Sequence, residues 1–129
     1  RAKALKLGAN AALETGARLP RKVDAVIESV GAATWSHSMK SVRPGGTIAI
    51  CGATTGDQPG AELTRLFFQD IRVQGCTMFG EDFARLLRFV EHANLHPAID
   101  SVVSGLDAAP EAFAKMIAGD VFGKIVIEL

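Results

Sequence analysis

The chain has 129 residues, 48% of them hydrophobic, which is one domain's worth of sequence with enough apolar content to bury a core, so disorder is not expected. Lys plus Arg (14) equals Asp plus Glu (14), and no basic tract or aromatic-spaced basic face stands out, which argues against a nucleic-acid surface. No apolar run reaches the roughly 18 residues of a membrane span and no signal-peptide pattern opens the chain, so a cytoplasmic location is expected.

The chain opens inside a periodic pattern. In "RAKALKLGAN", Ala2, Leu5 and Ala9 share one helical stripe and Gly8 suits the helix end. A helix opened without a cap, and without an initiator Met, reads as part of a longer protein. Ala11 to Glu14 could form a short strand, followed by the polar connection "TGARLPRK". "VDAVIESVG" carries an apolar run of strand length, stopped by Gly31. "AATWSHSMKSVRPGG" predicts a helix with Trp35, Met39 and Val42 on one core face, ended by Pro44 and Gly45-Gly46.

Thr47 to Cys51 predict a buried strand that runs into the small residues Gly52, Ala53, Thr54, Thr55 and Gly56. After a short amphipathic segment, "LTRLFFQD", comes the strand "IRVQGCT", whose alternation implies one less buried side. "EDFARLLRFVEHANL" is the clearest helix, with Phe83, Leu86, Leu87 and Val90 on one face. "AIDSVVSG" and "GKIVIEL" predict strands flanking a helix in "APEAFAKMIAG" that would turn Phe113, Met116 and Ile117 inward.

Apolar strands alternating with amphipathic helices imply an α/β fold with a parallel sheet and flanking helices. In such a sheet the segments "ESVG", "CGAT" and "CTMFG" end on one edge and would line one crevice. Each offers small residues and backbone groups, which suits a flat amide-bearing ring. Cys51 and Cys76 each end a strand; two buried thiols are expected, with a disulfide between them the other possibility. His37 and His92 read as solvated surface residues and His96, before Pro97, as a turn residue; none has metal-ligand spacing. Glu28 reads as a polar group at a strand's mouth.

The order and spacing of "RAKALKLGAN", "VDAVIESVG", "VRPGGTIAICGATTG", "IRVQGCTMFG" and "FGKIVIEL" resemble the carboxyl-terminal part of a medium-chain dehydrogenase/reductase of the zinc-type alcohol dehydrogenase and quinone oxidoreductase kind. The resemblance implies an incomplete Rossmann-like domain over residues 1–96 and a closing strand-helix-strand return over 97–129. It implies that Ser29, Val30 and Gly31 lie beside the ribose of NAD or NADP. Cys51, Gly52, Ala53, Thr54, Thr77, Met78 and Phe79 would then cradle the nicotinamide ring. The G-x-G-x-x-G pyrophosphate loop, the residue that selects NAD from NADP, and any zinc ligands of a catalytic domain are not in this sequence. No catalytic residue and no metal ligand is therefore assigned here, and the isolated chain is expected to be inactive. The same resemblance implies a homodimer through the edge strand Ile71 to Thr77 and a gap at the sheet's centre, with the segment Ala11 to Glu14 displaced from its usual place or paired irregularly. Two other readings stay open: a non-catalytic nucleotide-binding or structural module, and a Rossmann-like methyltransferase fragment that takes S-adenosylmethionine.

Overall fold

The structure, a computed structural model, describes residues 1–77 and 82–129. The chain forms two compact units, Arg1–Phe79 and Gly80–Leu129. In the first, α1 (Ala2–Lys6) is followed by an irregular connection and then β1 (Val23–Glu28), α2 (Ala32–Ser41), β2 (Val42–Ile50), α3 (Leu63–Phe68) and β3 (Arg72–Gly75). The second holds α4 (Phe83–His92), β4 (Ile99–Ser104), a 3-10 turn (Leu106–Ala108), α5 (Ala109–Ala118) and β5 (Lys124–Glu128). The contact boundary thus precedes α4, whereas the sequence puts its functional division at 96/97.

The first unit is a parallel three-stranded sheet in the order β1-β2-β3. Val26 pairs with Ile48 and Ile48 with Val73, so β2 is central and β1 and β3 are the edges. The alternation of β2 sends Val42 and Ile48 under α2, where they meet Trp35, Met39 and Ile71; Val26, Ile50 and Leu66 pack against this cluster. Trp35 is a core residue, as the helical spacing implies, and its indole N–H donates to Gly60 O at 2.9 Å. The sequence ends α2 at the Pro-Gly-Gly turn, but extended backbone starts earlier, at Val42, with ψ 141°. Residues 43–46 bulge out between the Val23–Val42 and Ala25–Thr47 pairs, which is how a proline and two glycines fit inside one strand.

Ala11 to Glu14 is not a strand. It lies between Gly8 and Gly16, both at positive φ, and pairs with none of the described strands. Apolar content alone does not make a strand without a neighbour to complete its hydrogen bonds.

In the second unit, β4 and β5 pair in parallel, with Val102 opposite Val126, and α5 connects them. The half-buried carboxylate of Asp100 accepts from Lys115 Nζ on α5 and from Phe122 N at 3.0 Å, tying helix to strand. The amphipathic periodicity of α4 and α5 is present, but its burial is not. Phe83, Leu86, Leu87, Phe113, Met116 and Ile117 are all exposed, and Ala112 alone of α5 is buried. Periodicity reports a two-faced helix; burial also needs a partner for the apolar face. Among the described residues no helix is long and apolar enough to cross a membrane.

Candidate functional site

Parallel pairing puts the carboxyl ends of β1, β2 and β3 on one edge of the first sheet. The ladder continues past the strands: Cys51 N donates to Glu28 O at 2.9 Å and Cys76 N to Ile50 O at 2.8 Å. The segments after β1 and β2 therefore lie side by side, with the end of β3 next to β2. Ser29, Val30 and Gly31 follow β1, Cys51, Gly52, Ala53 and Thr54 follow β2, and Thr77 lies just past β3. Met78 and Phe79 fall outside the described residues.

Two glycines make this approach possible. A Cβ on Gly52 would sit 2.8 Å from Ser29 O, and one on Gly31 would sit 2.4 Å from Gly56 O. Their smallness is thus used first by the two tips against each other, rather than by a ring.

Residues 51–56 also close the amino end of α2, which has no side-chain cap of its own. Ala32 N donates to Gly56 O at 3.0 Å and Ala33 N to Thr55 Oγ1 at 3.0 Å. The Thr55 hydroxyl in turn donates to Val30 O at 2.7 Å, and Thr55 N reaches the same carbonyl at 2.8 Å. Thr55 is the clamp that sequence reasoning missed. Its only signal is a hydroxyl placed where a helix start has no cap of its own.

Glu28 organises the other side. One carboxylate oxygen accepts from Val30 N (2.9 Å), Gly31 N (3.0 Å) and Thr34 Oγ1 (2.8 Å), and the other from Ser38 Oγ (2.5 Å). The residue is only 3% exposed. Burial alone would push its carboxyl up, but the hydrogen bonds from Ser38, Gly31, Thr34 and Val30 outweigh burial and hold it at about 2. A carboxylate so acidic and so fully engaged is a structural hub and not a general base.

The groups left to meet a ligand are main-chain ones. Among the described residues no bond engages the N–H groups of Gly52, Ala53 and Thr54, and Ser29, Ala53, Thr54 and Thr77 are exposed. Gly31 is buried, and both it and Val30 give their N–H groups to Glu28. The edge fits an amide-bearing ring that accepts hydrogen bonds from the peptide backbone. Zinc it does not fit: among the described residues no three His, Cys, Asp or Glu side chains gather to hold a metal ion.

The cysteines depart from expectation. Cys51 and Cys76 are free and both exposed, because each lies just beyond the last paired residues of its strand. His37 is half-buried rather than solvated, its Nε2 2.8 Å from Ala17 O, and so carries its proton there.

Comparison with known proteins bears on this edge. Residues 7–127 match the family of zinc-binding dehydrogenases. The zinc-type alcohol dehydrogenase-like protein YogA of Leptosphaeria maculans is 30% identical over an alignment covering 88% of this chain and 34% of that protein. Among solved structures, the cobalt- and zinc-bound thermostable alcohol dehydrogenase from Pyrobaculum aerophilum superposes with a TM-score of 0.81 and 26% identity. That match covers 99% of this chain and 40% of the other. A solved NAD-dependent alcohol dehydrogenase matches at 31% identity and TM-score 0.72, over 84% of this chain and 32% of its own. The chain spans about a third of the length of the curated relative, 34%.

Proposed function

Because the chain belongs to the zinc-binding dehydrogenase family, we propose that it is the cofactor-facing portion of an NAD- or NADP-dependent oxidoreductase. The observation that carries this reading is the pair of abutting strand tips at which, among the described residues, no bond engages the N–H groups of Gly52, Ala53 and Thr54. The bound nicotinamide would supply the hydride chemistry, with an alcohol or aldehyde, an enone or a quinone as the other partner. This chain's residues would orient the ring. Gly52, Ala53 and Thr54 would offer N–H groups to its carboxamide, Ser29 and Val30 would face the ribose, and Cys51 and Thr77 would flank the ring. Gly31 would act indirectly, by letting the tips close.

An NMR titration of the chain with NADH, NADPH and S-adenosylmethionine tests this. The expected result is shifts of the Ser29, Gly52, Ala53 and Thr54 amides with a nicotinamide cofactor and none with S-adenosylmethionine. Shifts with S-adenosylmethionine alone, or nicotinamide shifts confined to other residues, would overturn it.

The same family reading makes β3 a dimer edge. All four residues of β3 are exposed. Since Cys76 N points to β2, alternation along the strand turns Val73 N–H to the open side. Val73→Pro should therefore leave the monomer folded and abolish dimers seen by light scattering. An unchanged dimer would dismiss that interface.

A further inference from the structure

At the opposite end of the first sheet from the strand tips lies a cleft of about 600 Å³. Arg21 and Lys22 lead into β1, Lys40 sits in the last turn of α2 with Ser41 leading into β2, and Arg18 and Arg65 close the sides. Five of the lining side chains are cationic and none is a carboxylate, in a chain with no formal net charge. Arg65 is paired with Glu62 at 3.1 Å. Among the described residues, Lys22 Nζ reaches only the neutral Gln69 side chain, at 3.2 Å. Among the described residues no carboxylate lies within ion-pair distance of Arg18, Arg21, Lys22 or Lys40. The nearby Asp24 carboxylate is held by Arg43 at 2.6 Å, and Arg21 acts on it only from beyond ion-pair distance.

Like charges gathered in a concave site repel one another and focus their field into it, so the arrangement is relieved by an anion. The volume is that of a small-ligand site. Four cations without carboxylate partners match a compact anion bearing three or four charges, and the guanidinium forks of Arg18 and Arg21 suit phosphate oxygens. His37, fixed by its bond to Ala17 O, anchors the connection that carries both arginines to α2.

We infer that this cleft is a binding site for a phosphate chain, either free polyphosphate or the triphosphate of a nucleotide. It faces the amino ends of the strands, so it does not compete for the backbone edge where a nicotinamide would lie.

The probe is sodium tripolyphosphate, titrated calorimetrically into the chain at low salt, with ATP, orthophosphate and a duplex oligonucleotide in parallel. Saturable binding of one tripolyphosphate per chain, tighter than orthophosphate, is expected. Affinity equal to that of ATP assigns recognition to the phosphates alone, and tighter ATP binding assigns the site to nucleotides; both support the cleft. Arg21→Gln combined with Lys40→Gln should weaken binding about tenfold or more, whereas Lys6→Gln, outside the cleft, should not. NMR gives a readout independent of any variant: tripolyphosphate should shift the amides of Arg18, Lys22 and Lys40 and spare Gly52 and Ala53. Absence of saturable binding, shifts at the strand tips instead, or equal weakening by Lys6→Gln would overturn the site. So would duplex binding tighter than tripolyphosphate, which would mark a nucleic-acid surface.

Discussion

Glu28→Ala is expected to lower the stability of the first unit by roughly 3–5 kcal/mol, measured as a shift in the urea midpoint. The substitution removes the carboxylate that four donors share: Val30 N, Gly31 N and Ser38 Oγ lose their acceptor, and Thr34 Oγ1 keeps only a long bond to Gly31 O at 3.4 Å. Gly31 and Ser38 are buried and the other two half-buried, so water cannot replace the carboxylate cheaply. Each stranded donor costs about 1–3 kcal/mol, against a total stability of about 5–15 kcal/mol for an ordinary domain. Glu28→Gln is milder, because the amide oxygen keeps three donors and the Ser38 hydroxyl rotates to accept from the new NH₂. An alanine variant within about 1 kcal/mol of the parent would show that the carboxylate is not the hub.

The same residue sets an acid limit. Its carboxyl lies at about 2 in the folded chain against 4.5 for a free glutamate. Between those values the unfolded chain binds the extra proton, so stability falls as pH falls. The contribution is fully present above about pH 4.5 and gone below about pH 2, and is worth about 3 kcal/mol. Asp100, in the second unit, is lowered to about 2 by Lys115 and the Phe122 N–H, so its contribution is lost in the same direction. Glu28→Gln should flatten the acid dependence of the first unit and leave that of the second intact. An unchanged acid profile in that variant would refute the assignment.

Much of this arrangement is legible in the sequence, and the illegible parts have identifiable reasons. The alternation of strands and helices, the parallel sheet and the common edge for Ser29, Gly52 and Thr77 follow from periodicity and topology alone. The Glu28 hub is half legible. Thr34 and Ser38 are four apart on one face of α2, but only the turn geometry at Val30 and Gly31 brings their hydroxyls to a strand-end carboxylate. The basic cleft is only partly legible: Arg18, Arg21 and Lys22 lie together in one connection, but Lys40 and Arg65 join them only through the fold. Likewise the apolar stripes of α4 and α5 are correct as helices, and that of α5 is wrong as core, since a stripe cannot say what covers it. Thr55 escaped notice because its role depends on contact with a helix start more than twenty residues earlier in the chain.

Gly31→Ala is the sharper test of how the candidate site is built. Gly31 sits at φ 94°, ψ −132°, a region that residues with a Cβ avoid. Moving its φ to negative values would swing the Val30 and Gly31 N–H groups off Glu28 and misalign the first turn of α2. Holding the native φ would press the new methyl into Gly56 O, 2.4 Å away. That oxygen cannot retreat freely, because it accepts from Ala32 N at 3.0 Å. Either route costs hydrogen bonds or a strained backbone, for a loss of about 3 kcal/mol. The damage should also reach the amides of Gly52 and Ala53, whose chemical shifts report the neighbouring tip. Gly75→Ala is the control: among the described residues, its chain neighbours aside, no heavy atom lies within 4 Å of its added Cβ, so its stability should stay within about 0.5 kcal/mol of the parent. If Gly31→Ala proves as benign as Gly75→Ala, the two tips do not depend on each other, and the backbone edge proposed to receive the nicotinamide loses its physical basis.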